Sequence, residues 1–86
     1  MKVAFFAGVQ KHTAGDTSFD ADGVQNLNEL VELLGERYGD DFKRFLRSDG
    51  GCIFLVNGKS IAMAGGFGAP LQPGDTVEIL PFVDGG

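Results

Sequence analysis

The chain has 86 residues, 43% of them hydrophobic and 22% charged, and its twelve acidic against seven basic side chains give a net charge of -5. That length predicts one domain with an economical core, and the acidic balance argues against nucleic acid and anionic membrane as partners. The single Cys52 excludes an internal disulfide and a Cys-ligated zinc or iron–sulfur site and fits a reducing cytoplasm, while no apolar run reaches the roughly 20 residues that span a bilayer.

Met1-Lys2-Val3 leads straight into a strand-like pattern, with no sign of a signal peptide. Residues 2–7 are aromatic-rich and closed by Gly8, which predicts a strand. Val3 and Phe5 share one face of it, Ala4 and Phe6 the other. With apolar groups on both faces it reads as a central strand that leaves Phe6 over for a partner. Residues 9–15 read as a connecting loop, and residues 17–19 as a short second strand, paired with the first as a hairpin.

A helix follows. Asn26 is placed to cap it, and Glu29 three residues on completes a capping-box pattern. Leu27, Leu30, Val31, Leu34 and Tyr38 fall on one helical face. Gly35 weakens the interior and Gly39 is a natural terminator. Residues 41–47 predict a short second helix docked by Phe42, Phe45 and Leu46, with Lys43, Arg44 and Arg47 turned to water.

Residues 52–56 form a nearly continuous apolar run, read as a buried strand. Asn57-Gly58 is the strongest hairpin signal in the chain, since both turn positions favour positive φ. Residues 59–62 are the return strand, and residues 63–70, with Gly65, Gly66 and Gly68, a flexible loop. After the turn at Pro73-Gly74-Asp75, residues 76–80 alternate as a final strand. Val77 and Ile79 point one way, Thr76, Glu78 and Leu80 the other. Pro81, lacking an N–H, ends the ladder.

Strands on both sides of one amphipathic helix pack most economically as a mixed sheet of about five strands covering that helix. This predicts an α+β fold of the β-grasp, ubiquitin-like kind over residues 1–81, with residues 82–86 as a separate tail. If the first and last strands are neighbours they pair in parallel, and the tail leaves the sheet beside the first strand. Gly85 and Gly86 at the end of that tail carry no side chains and suit a thread through a narrow channel. A carboxylate on such a thread is unhindered. It can attack a nucleotide phosphate to form an acyl-adenylate, whose carbonyl a sulfur nucleophile then attacks.

The opening residues 2–7, the helix segment with Glu36-Arg37-Tyr38, Val56-Asn57-Gly58, Pro73-Gly74-Asp75-Thr76-Val77 and the ending Pro81 to Gly86 together resemble the MoaD/ThiS family of ubiquitin-like sulfur carriers. The likeness is strongest to its molybdopterin synthase small-subunit branch, because the thiamine branch lacks the extra turn matching residues 41–47. It implies that Gly86 carries the reacting carboxylate. An E1-like adenylating enzyme (MoeB-like) using ATP would activate it, and a sulfur donor would convert it to a thiocarboxylate. The large subunit of molybdopterin synthase (MoaE-like) would receive it and use the sulfur on a pterin precursor. The chain itself would bind no cofactor and would not be an enzyme alone. The resemblance leaves other outlets open: a carrier for thiamine thiazole, cysteine or another thiolated metabolite, or a ubiquitin-like modifier joined to lysines through Gly86. Two residues depart from the family's habit. Asp84 replaces a small or neutral residue and calls for a basic channel, and Phe82 stands where relatives often have Pro.

Phe6, Leu80 and Phe82 are expected on the sheet face away from the helix, or at the strand end near the tail, as a partner-binding patch that Met63 and Phe67 extend. The remaining chemistry-bearing residues read plainly. His12 is an exposed loop histidine with no partner to build a site. Cys52 is a small core residue rather than a persulfide carrier. Residues 65–68 lack the Lys-Ser/Thr of a phosphate-binding loop. Lys43, Arg44 and Arg47 are the solvated face of a helix.

Overall fold

The computed structural model describes residues 1–48, 51–61 and 65–81. Five strands form one mixed sheet: β1 (Lys2–Phe5), β2 (Ser18–Asp20), β3 (Cys52–Val56), β4 (Lys59–Ser60) and β5 (Thr76–Pro81), in the spatial order β2-β1-β5-β3-β4. β5 is the central strand. It runs parallel to β1, with Val3 opposite Val77 and Phe5 opposite Ile79, and antiparallel to β3, with Phe54 opposite Ile79. Helices α1 (Leu27–Tyr38) and α2 (Asp40–Arg47) cover one face, and the fold is a β-grasp.

Period-two alternation decides which side chains meet the helices. Val3, Phe5, Phe54, Val77 and Ile79 are buried against Leu27, Leu30, Val31 and Leu34 of α1 and Phe42 and Leu46 of α2. Each such side chain contributes about 1.5–3 kcal/mol by leaving water. The α1 start follows its sequence: the Glu29 N–H donates to Asn26 Oδ1 at 2.9 Å. The Glu29 carboxylate accepts from the Gln25 N–H rather than from the cap residue itself.

A 3-10 helix (Ala7–His12) that buries Val9 takes in Ala7, expected as the end of the first strand, and residues 9–12, expected as loop. Its entry is held by Ala7 at φ 49 and by Gln10 Nε2 donating to the Phe5 carbonyl at 2.9 Å. Its exit is held by the fully buried Thr13, whose hydroxyl lies between the carbonyls of Gln10 and Asp16 at 3.2 and 2.8 Å. Short elements shift by a residue or two from expectation. β2 begins at Ser18, β4 stops at Ser60, α2 begins at Asp40, and Pro81 is itself the last residue of β5, opposite Cys52.

The α1–α2 contact differs more. Gly35 is buried, and a Cβ there would stand 3.0 Å from the Lys43 Cβ. The glycine is therefore the point where α2 comes down onto α1, not merely a weak place in a helix. Lys43, expected toward water, is half-buried, while Arg47 stays exposed as expected; they reach across to Glu32 at 2.8 and 3.0 Å, respectively. Arg47 also donates to Asn28 Oδ1 at 3.0 Å. Arg44 does stay exposed, paired with Asp41.

Candidate functional site

Because β5 is parallel to β1, its final residue emerges at the end of the sheet where β1 hands over to the 3-10 helix. Pro81 is flanked there on both sides. The Phe6 N–H donates to the Ile79 carbonyl at 3.0 Å, extending the β1–β5 ladder by one step. On the other flank Cys52 pairs opposite Pro81. The end of β5 at Pro81 is thus held between two neighbouring strands. Phe82, Asp84, Gly85 and Gly86, the expected tail residues, lie outside the described residues, as does Met63.

The sheet face turned away from the helices carries Ala4 and then Phe6 along β1, Thr76, Glu78 and Leu80 along β5, and Ile53 and Leu55 along β3. Ile53 stands opposite Leu80, while Leu55 and Ala4 flank Glu78 on either side. Phe6 is 39% exposed, the one large hydrophobic side chain with that degree of exposure among the described residues. Ile53, Leu55 and Leu80 are half-buried and take no part in the packing around the core. The structure therefore brings Phe6 and Leu80 to one face.

Phe67 is placed elsewhere. Its ring meets Phe54 edge-on at 5.7 Å on the helix side of the sheet, beneath the Arg47 guanidinium at 5.5 Å. It belongs to the satellite packing around the core and does not extend the patch, because the segment carrying it folds back as a 3-10 turn (Gly66–Gly68) onto α1. Sequence reasoning passed over Ile53 and Leu55. The continuous apolar run of β3 conceals that its two faces have different fates, and only its register against β5 separates them.

The other candidates resolve into packing. His12 is half-buried and stacks on Phe45 at 4.6 Å and Phe42 at 5.6 Å, so the expectation of an exposed loop histidine is corrected by an aromatic cluster that forms only in three dimensions. Tyr38 donates to Asp16 at 2.8 Å. Burial first, and then that carboxylate, raises its phenol above the ordinary value of 10.0. Cys52 is half-buried with its thiol directed at the Leu46 carbonyl, 3.9 Å away. Burial pushes that thiol up to about 11, so it is protonated at neutral pH and is a poor sulfur nucleophile.

The geometry defines a class before it defines a family: a ubiquitin-like β-grasp domain whose central strand β5 ends at Pro81 beside an uncovered apolar face. The ThiS family model matches residues 3–86, and the chain belongs to that family. A provisionally named sulfur carrier protein of Archaeoglobus fulgidus is 34% identical over 76 residues, covering 84% of this chain and 85% of that protein. A chain of the Amycolatopsis orientalis BexX/CysO complex superposes with a TM-score of 0.81 at 27% identity, covering 99% and 98% of the two chains. Urm1 from Trypanosoma brucei gives 0.74 at 34% identity over 99% and 93%. A chain of the complex of subunits 1 and 2 of molybdopterin-converting factor from Helicobacter pylori gives 0.63 at 27% over 99% and 96%.

Proposed function

We propose that the chain is a cytoplasmic sulfur carrier that works through the carboxylate of Gly86. A carboxylate oxygen attacks the α-phosphorus of ATP in an adenylating enzyme, pyrophosphate leaves, and an acyl-adenylate forms. A hydrosulfide-equivalent nucleophile from a sulfur donor attacks the carbonyl, AMP leaves, and Gly86 ends as a thiocarboxylate. The observation that carries this reading is the family match running through residue 86, joined to a central strand β5 that runs parallel to β1 and ends at Pro81. Gly85 and Gly86 suit a narrow channel because a backbone without side chains can lie close to a reactive centre. The chain supplies the nucleophile, and the activating and accepting proteins supply the catalysis. Phe6 and Leu80, with Ile53 and Leu55, would form the surface they grip.

The likeness to a chain of the Helicobacter pylori complex supports a pterin precursor as the sulfur acceptor, with this chain as the small subunit of molybdopterin synthase and the large subunit as its partner. A second reading, a carrier for a different acceptor, is favoured by the higher TM-score, 0.81, to a chain of the BexX/CysO complex.

The test is a mass measurement. Incubated with an adenylating enzyme, ATP and sulfide, the full chain is expected to gain the mass difference of one sulfur for one oxygen at Gly86. No gain refutes the carrier reading. Deleting Gly86, or adding a residue after it, is expected to abolish the exchange. Pterin dithiolene synthesis that survives either change would remove Gly86 from its assigned role. Sulfur gain without binding to a molybdopterin synthase large subunit would select the second reading.

A further inference from the structure

Glu78 stands at the middle of the central strand, on the open face. Ala4 is opposite it on one side and Leu55 on the other. Leu80 is the next residue of β5 on the same face, with Ile53 across from it. Glu78 is itself half-buried by these neighbours. Among the described residues its carboxylate makes no ion pair and no side-chain hydrogen bond: the salt bridges are Lys43–Glu32, Arg44–Asp41 and Arg47–Glu32. The basic residue that alternation puts on this face is Lys2. It stands across from Asp20 and Thr76, a diagonal step from Glu78, and no salt bridge joins the two.

A lone carboxylate set into an apolar surface costs little while water reaches it. Once a partner covers the surface, that water is lost. An ionised carboxylate taken out of water is strongly destabilising unless a cation or strong donors replace its hydration. Among the described residues no such group is in place. The requirement passes to the partner, and the chain's net charge of -5 favours a basic approach to this face. We infer that Glu78 is a specificity-determining residue, and that the protein docking on the open face presents a Lys or Arg side chain that pairs with it inside an otherwise apolar contact. This deepens the proposed use of the face as a docking surface and rests on that reading.

The apolar neighbours supply contact with any greasy surface of the right shape, whereas Glu78 rejects one that brings no cation. A neutral or acidic surface would bury an unpaired charge, the kind of mismatch by which interfaces exclude wrong partners. The register makes the demand geometric as well. The cation must reach the centre of the sheet, between Ala4 and Leu55, rather than its rim.

The experiment uses the full chain and the protein that wild-type chain retains from its own cells, identified by mass spectrometry and then purified. Glu78→Gln keeps the size and the outward position of the side chain and removes the charge. It is expected to weaken binding roughly 30-fold, as loss of one member of a desolvated pair does, and to flatten the dependence of affinity on salt. Its thermal unfolding is expected to match wild type, since Glu78 is not part of the core. Glu78→Lys is expected to abolish binding, and reversing the partner's basic residue to Glu is expected to restore it, which a merely structural role would not allow. Unchanged affinity with Glu78→Gln overturns the inference, as does a wild-type chain that retains no protein. Sulfur exchange at Gly86 is read separately. A chain that gains sulfur but binds equally well with Glu78→Gln overturns the Glu78 assignment alone. One that gains no sulfur but loses binding with Glu78→Gln overturns the carrier reading alone.

Discussion

Asn57 joins two turns with one side chain. Its Nδ2 donates to Asp75 at 2.9 Å and its Oδ1 accepts from the Thr76 N–H at 2.9 Å, while Asp75 also accepts from the Gln72 N–H at 2.8 Å. The Asn-Gly signal in the sequence announced the turn, with φ of 51 and 84 at Asn57 and Gly58, but nothing local announced the clasp onto a turn 18 residues away. The Gln72 and Asn57 donors hold Asp75 below its ordinary value of 3.8, and Lys43 and Arg47 hold Glu32 below 4.5. Both groups bind protons less readily when folded than when unfolded. Their contribution is therefore complete above those ordinary values and is lost as pH falls below them. Urea midpoints are expected to drop on acidification from about pH 5 to about pH 3. Asp75→Asn should be less stable than wild type at neutral pH and lose less on acidification; parallel curves for the two proteins would refute the clasp.

Burial holds the Cys52 thiol in its protonated form. A thiol at about 11 against an ordinary 9.0 has its thiolate population cut by about two orders of magnitude. Alkylation of the native chain at mildly basic pH should be correspondingly slow and should accelerate on unfolding. Rapid labelling of the folded protein would reopen a sulfur-handling role for Cys52.

Among the elements, α1 and β5 were the most legible because their signals are local. Asn26 caps, five apolar residues share a helical stripe, and Thr76 to Leu80 alternate with period two. The 3-10 helix was not legible, because Ala7 adopts its positive φ under tertiary constraint rather than by preference. The role of Gly35 was hidden for the same kind of reason, since only the position of α2 shows what fills the space over it. Gly→Ala in a helix interior ordinarily stabilises by roughly 1 kcal/mol. Here the added methyl meets the Lys43 Cβ at 3.0 Å, an atom fixed to the α2 backbone. Gly35→Ala is expected instead to cost about 1 kcal/mol or more, as overpacking does, with loss of the Glu32–Lys43 contact. Chemical denaturation checks the sign, and a net gain would show that α2 is not held there.

At the scale of the whole molecule, the uncovered sheet face is the part of the candidate site most visible in the sequence. Alternation alone put Phe6 and Leu80 there, while Phe67 required the path of its loop and Ile53 and Leu55 the strand register. Phe6→Lys and Leu80→Lys change that face without entering the core. Each is expected to reduce affinity for a protein that docks on that face at least tenfold, as for anchors of an interface, with circular dichroism and unfolding temperature close to wild type. Equal binding by both variants would move the docking surface elsewhere. β5 is translated after every other element of the domain, yet it is the strand between β1 and β3. Until it inserts, the nascent chain holds two disconnected hairpins with no sheet between them, and sheet assembly must await a distant strand, the slow kind of pairing. Synthesis therefore orders the events: the sheet closes only around its last-made strand, so a half-made chain presents no continuous open face.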